Sequence, residues 1–122
     1  EREAVNSQEK ALIASVFLNR LRENMPLQSD PTVQYALGWD EERDTWWKTP
    51  LNVADLDVDS PYNTYKVYGF PPTPICSVGK ESLLAVTFPA KTQYLYFRSA
   101  CDGSGNHLFA ETFAEHQANA CH

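Results

Sequence analysis

Tyr94-Leu95-Tyr96-Phe97, then Asp102-Gly103-Ser104-Gly105-Asn106, then His107-Leu108-Phe109: this run near the end of the chain decides the fold class. Its two flanks are rich in aromatic and aliphatic residues, which suit a pleated, half-buried surface. The residues between them are Gly, Ser, Asp and Asn, the composition of a turn. The run reads as a β-hairpin, with strands at 94–97 and 107–109 joined by a turn at 102–106.

Helices dominate on either side of it. Thr112 with Glu115 forms a capping box that starts a last helix toward the C-terminus. Residues 80–88 read as a helix ended by Pro89. Far upstream, Leu12, Ile13, Val16, Phe17 and Leu21 recur at three- and four-residue steps, one face of a helix over 6–24. Asn6 or Ser7 caps it, Glu9 stands where a capping-box carboxylate reaches back, and Pro26 closes it. Asp30-Pro31 reads as N-cap and first helical residue, with Gly38 as the stop. Residues 39–50 hold all three tryptophans without any period and read as a surface loop; 52–56 suit one helical turn. Residues 60–69 are expected to turn and then run on as a short strand, before Pro71, Pro72 and Pro74 enforce an extended loop. The sum is α+β: a small antiparallel sheet with helices packed on one side.

At 122 residues the chain suits one domain. It opens on Glu1-Arg2-Glu3, so it reads as a domain cut from something longer. No stretch approaches the ~20 apolar residues that span a bilayer. The net charge is −6 and the basic residues are scattered, which disfavours nucleic acid as a partner. Cys76, Cys101 and Cys121 lack a CxxC spacing. Three free thiols is the favoured reading; the other pairs Cys101 with Cys121 and leaves Cys76 free. His107, His116 and His122, near Glu111 and Glu115, include no H-E-x-x-H, so no metal site is expected. His107 is expected to line a cleft or bond a carbonyl, and His116 to anchor the last helix in the same way.

Several polar strings are more specific than any of these features. They are Asn19-Arg20-Leu21, Leu27-Gln28-Ser29-Asp30-Pro31-Thr32-Val33, Ser60-Pro61-Tyr62-Asn63-Thr64-Tyr65, Gly69-Phe70-Pro71-Pro72 and Glu115-His116. In this order and spacing they resemble the endolytic murein transglycosylase family, the YceG-like proteins once mislabelled aminodeoxychorismate lyases. That family's pattern runs E-K-E, V-F-x-N-R-L, M-x-L-Q-x-D-P-T-V, Y-N-T-Y, G-L-P-P-x-P-I, P-A-x-T-x-Y-L-Y-F, G-x-H-x-F and E-H-N. The resemblance spans the whole chain. Departures are Arg2 for Lys, Phe70 for Leu, Gln117 for Asn, and the tryptophan-rich insertion.

The resemblance implies that residues 1–122 form the catalytic domain of a peptidoglycan lyase, without the membrane anchor and LysM-like subdomain that precede it in the family. It implies that Glu3 is the catalytic acid; taken alone, Glu3 would read as a solvated first-turn carboxylate. It further implies a place on the extracytoplasmic face of the cytoplasmic membrane, peptidoglycan strands as substrate, cell-wall synthases as candidate partners, and no cofactor. One carboxyl would protonate the leaving oxygen and then deprotonate the sugar's C6 hydroxyl, closing a 1,6-anhydro ring. Neutral groups suited to holding the sugars are Gln28, Tyr62, Asn63, Thr64 and Tyr65, with Asp30 and His107 nearby in the pattern. Asp30 reads equally as a helix cap, Asn63 and Thr64 as turn formers, and the tyrosines as partly core. The alternative function is a non-catalytic glycan-binding or scaffolding module. A pyridoxal-phosphate lyase is excluded, because Gly79-Lys80 lacks the phosphate cup and the larger domain such chemistry needs.

Overall fold

A computed structural model describes residues 1–121. Along the chain come α1 (Lys10–Arg22), α2 (Asp30–Leu37), α3 (Lys80–Thr87), β1 (Tyr96–Ser99), β2 (His107–Ala110) and α4 (Phe113–Ala118). These elements fall into two compact units, one built from Glu1–Glu23 and the stretch from Val78 onward, the other from Asn24–Ser77.

In the first unit the periodic apolar face of α1 becomes the core. Ile13, Ala14 and Val16 are buried on it, beside polar Ser15, Asn19 and Arg20. The helix packs on α3, and Phe17 meets Phe97 of β1 edge-on at 5.8 Å. The hairpin pairs Tyr96 with Ala110, Phe97 with Phe109, Arg98 with Leu108 and Ser99 with His107. Side chains alternate in direction along a strand. Phe97 therefore turns toward α1, while Tyr96 turns toward Phe113 and His116 of α4.

Strand β1 starts two residues later than the hydrophobic pattern suggests. The carbonyls of Thr92 and Tyr94 accept from the Asn19 amide at 3.0 and 2.8 Å, and that of Leu95 accepts from Arg20 Nε at 2.7 Å. The carbonyls of Thr92, Tyr94 and Leu95 are thus held by α1, while the Leu95 N–H already donates to the Ala110 carbonyl of β2 at 3.0 Å. At the other end, α4 is capped as expected by Thr112, whose hydroxyl accepts from the Glu115 N–H. The Glu115 carboxylate accepts from the Glu111 N–H, one residue short of the capping-box position.

Three free thiols is the reading the structure corrects. Cys101 and Cys121 form a disulfide across a Cα–Cα distance of 5.6 Å, and Cys76 is free. The bond joins the hairpin turn to the chain beyond α4. Closing a ring of this size stabilises the fold by about 3 kcal/mol in the chain-entropy account.

The second unit is mostly loop around α2. Its N-cap is Ser29 rather than Asp30, which is the first helical residue, and Gly38 ends the helix at φ +76°. The tryptophan-bearing stretch is a loop, closed by reciprocal backbone bonds between Asp40 and Thr45. A 3₁₀ turn follows at Asp55–Asp57, where Asn52 and Asp55 each accept the other's N–H. The strand expected within 60–69 is absent. The Asn63 carbonyl accepts the N–H groups of Lys66 and Val67, both at 3.0 Å, so the backbone coils into turns.

His116 adds a pH term to the first unit. Its ring stacks on Tyr96 at 5.2 Å, and Nδ1 is buried with no partner among the described residues. The expected anchoring bond is replaced by ring stacking, with the His116 carbonyl accepting from Arg98. Burial, then the nearby Arg98 and Arg20 guanidinium groups, hold its pKa below the ordinary 6.5. Above that value the ring is neutral folded or unfolded and contributes no pH dependence. Below it the unfolded chain takes up a proton that the folded chain refuses. Thermal midpoints are therefore expected to fall as pH drops from about 6.5, and His116→Phe, which keeps a ring on Tyr96, should flatten that limb. Parallel limbs for both proteins would remove His116 as the cause.

Candidate functional site

Glu3 and His107 lie in the first unit; Gln28, Asp30, Tyr62, Asn63, Thr64 and Tyr65 lie in the second. Glu3 is half-buried and lines a cavity of about 230 Å³. The walls are mostly apolar, with Ile13, Ala14, Phe17, Ala85 and Val86 among them; Lys10 and Glu1 are its other charged members.

The two N-terminal glutamates have different surroundings. Glu1 sits at the start of α3, where its carboxylate accepts from the Gly79 N–H at 3.2 Å and from the Ser82 hydroxyl. Those bonds hold its pKa below the ordinary carboxylate value, the Ser82 bond contributing most. An acceptor so engaged is a helix cap and a poor proton donor. Beyond Glu3 the chain is sewn to the hairpin tip. Val5 fills the space over Gly105, Asn6 donates to Asn106 Oδ1 at 2.9 Å, and Glu9 reaches His107. Glu3 is thus suspended between two anchors, one on α3 and one on the hairpin.

Glu9 was expected to close a capping box with Asn6; its carboxylate goes to β2 instead. It accepts from the His107 N–H at 3.0 and 3.1 Å and lies 3.2 Å from the ring Nδ1. A carboxylate only accepts, so this contact requires the hydrogen on Nδ1. Both side chains are largely buried, at 13% and 6% exposure. The His107 partner is thus a carboxylate and not a carbonyl, and its role in this geometry is to fix the segment that follows Glu3.

In the second unit four of the six residues, Gln28, Asp30, Tyr62 and Tyr65, are exposed or half-buried. Gln28 is exposed, its backbone left-handed at φ +50° and its N–H bonded to the Thr64 carbonyl at 3.1 Å. Asp30 is exposed and accepts from the Tyr65 hydroxyl at 2.6 Å. Tyr62 packs its ring on Tyr35 at 4.9 Å and shares a hydrogen bond with the Thr73 hydroxyl at 2.7 Å. Asn63 and Thr64 differ: both are fully buried. The Asn63 amide donates to the Leu56 and Val58 carbonyls, both at 2.9 Å, and its oxygen accepts from the Tyr65 N–H. The Thr64 hydroxyl accepts from the Ser29 N–H and bonds the Thr32 hydroxyl at 2.8 Å. These two build the support on which Gln28, Asp30 and Tyr65 stand.

The sequence offered no signal for Glu9 as an anchor, because Asn6 in capping-box spacing supplied a local explanation for it. Among the described residues no group of three His, Cys, Asp or Glu side chains could hold a metal ion. His122, weighed as a ligand above, lies outside the described residues.

Comparison with known proteins agrees with the strings quoted above. The model of the YceG-like family matches residues 1–122, and the chain belongs to that family. A Bacillus subtilis (strain 168) protein named endolytic murein transglycosylase is 45% identical over 116 residues, covering 95% of this chain and 30% of the relative. Its namesake in Streptococcus pneumoniae (strain D39) is 32% identical, covering 98% of this chain and 21% of the relative. The crystal structure of a yceG-like protein from Listeria monocytogenes superposes with a TM-score of 0.82 at 44% identity, over 97% of this chain and 35% of that one. The chain thus spans less than a third of the curated relatives it matches.

Removing the Asn63 side chain orphans two half-buried carbonyls and one N–H. Asn63→Ala is expected to cost about 3 kcal/mol in urea unfolding, whereas Tyr65→Phe should cost under about 1 kcal/mol. An Asn63→Ala protein with the parent's midpoint would contradict the supporting role.

Proposed function

We propose that this chain carries the catalytic domain of an endolytic murein transglycosylase. It would cleave the MurNAc–GlcNAc bond within glycan strands and leave 1,6-anhydro-MurNAc ends. Three relatives bearing that activity in their names support the class of reaction. The observation that carries the assignment of the acid is the placement of Glu3 on a largely apolar cavity, held from both sides, while Glu1 is engaged as a helix cap.

The chemistry asks for a carboxyl held against the scissile bond. A carboxyl donates a proton to a glycosidic oxygen near neutral pH when its surroundings disfavour the anion. Glu3 protonates the leaving oxygen as the bond breaks through an oxocarbenium-like state. The resulting carboxylate then takes the proton of the C6 hydroxyl, whose oxygen closes onto the anomeric carbon. One group acts twice, and water is not the nucleophile. Gln28, Asp30, Tyr62 and Tyr65 contact the sugars, with Asn63 and Thr64 behind them and His107 fixing the segment after Glu3. The domain works outside the cytoplasmic membrane; the Cys101–Cys121 disulfide supports that placement, since such bonds persist in oxidising compartments. Among the described residues no helix is long and apolar enough to cross a membrane.

Release of anhydro-muropeptides from purified sacculi by the full-length protein tests this reading. Glu3→Gln is expected to lower the rate by about 10²–10⁴, the usual contribution of a general acid and base. Equal release by parent and variant would remove Glu3 from the mechanism. Binding of sacculi without release by either protein would establish the glycan-binding module instead.

A further inference from the structure

Several exposed aromatic side chains that the catalytic reading leaves unused lie in the second unit. Tyr35 on α2 and Trp46 in the loop after it are 43% and 61% exposed. With Trp47 and Ile75 they line a groove of about 480 Å³ whose lining carries no charge. That size and composition fall within the range of small-molecule sites, which are walled by aromatic and aliphatic side chains.

The loop that presents the groove is braced. Gln34, buried on α2, donates to the Lys48 carbonyl at 2.9 Å and to the Thr49 hydroxyl at 3.2 Å. Lys48 pairs with Asp55 at 2.8 Å, and the Trp47 N–H donates to the Thr45 hydroxyl at 3.1 Å. Trp39 meets the Trp46 ring edge-on at 5.3 Å. These bonds fix the backbone next to Trp46, and the Trp39 ring restricts its indole, which lowers the ordering cost of binding.

We propose that this groove is a glycan subsite, in which pyranose rings of the strand stack on Tyr35 and Trp46. The C–H groups on a pyranose face carry slight positive charge and suit the negative face of an aromatic ring. A neutral groove suits an uncharged sugar face better than it suits a charged peptide. The groove also adjoins the segment already assigned to substrate, because the Tyr35 ring lies 4.9 Å from that of Tyr62. Its role is to grip the polymer, and the choice of polymer rests on the lytic reading above.

The test uses the full-length protein with Glu3→Gln in every variant, so that strands are bound and not consumed. Peptide-free glycan strands are titrated against it and followed by tryptophan emission and by calorimetry. Trp46→Ala and Tyr35→Ala are each expected to weaken binding by about fivefold to tenfold. Trp46→Phe, which keeps a ring, should recover most of the loss. Unchanged affinity in both alanine variants, with parent-like thermal midpoints, overturns the subsite. The lytic reading is judged separately, by anhydro ends released by Trp46→Ala with Glu3 intact. Normal release together with normal affinity sinks the subsite and leaves that reading standing. Weakened binding alongside a Glu3→Gln protein that still cuts keeps the subsite and sinks the assignment of Glu3. Strands that bind no variant, with Trp46→Ala altering self-association in sedimentation, would assign the groove to a second copy of the chain and overturn the proposal.

Discussion

Asn19 and Arg20 on α1 take three successive uses of backbone polarity away from the approaching strand: the carbonyls of Thr92, Tyr94 and Leu95. Everything in the first unit depends on that exchange. A buried carbonyl left without a donor costs about 1–3 kcal/mol, so these bonds are hard to forgo once α1 and residues 92–95 are packed together. They tie the chain to α1 at the point where the Leu95 N–H first pairs with β2. Phe97 then meets Phe17, and Tyr96 is left between the Arg20 guanidinium, 5.1 Å from its ring centre, and the His116 ring. A helix and a hairpin far apart in sequence are registered by polar atoms, and the apolar contacts follow.

The second unit uses the same device on a smaller scale. Asn63 and Thr64 gather backbone groups from Ser29, Leu56, Val58 and Tyr65 into a buried polar knot. With little regular structure to satisfy its backbone, this unit relies on side-chain amides and hydroxyls. The surface residues with which the family pattern is associated, Gln28 and Tyr65, flank that knot.

Much of the helical fold is legible in the sequence because amphipathic periods, Pro31, Gly38 and the Thr112 cap are local signals. The departures run in both directions. Glu9 beside Asn6, Asp30 before Pro31 and the Tyr-rich stretch after Ser60 each have a plausible partner a few residues away, yet long-range hydrogen bonds win at Glu9 and local turns win after Ser60. The candidate site divides in the same way. The polar strings that carry the family resemblance include exposed residues and buried struts, and no property of Asn63 read in one dimension distinguishes a sugar ligand from a backbone clasp. Glu3 is silent locally; both N-terminal glutamates line the cavity, and what sets Glu1 apart is its engagement at the start of α3 by Gly79 and Ser82. The tryptophan loop was legible as a loop, while the bracing that orients it required coordinates.

The disulfide has a consequence apart from stability. Cys101 and Cys121, separated by 20 positions, enclose the exposed turn at 102–106, all of β2 and all of α4 in one covalent ring. Turn tips rich in glycine and serine are where proteases usually cut first. A single cut inside this ring severs the backbone without releasing a fragment, since both new ends stay tethered through the sulfurs. His107 then remains beside Glu9, and the segment carrying Glu3 keeps its mooring on the hairpin even after the chain has been nicked.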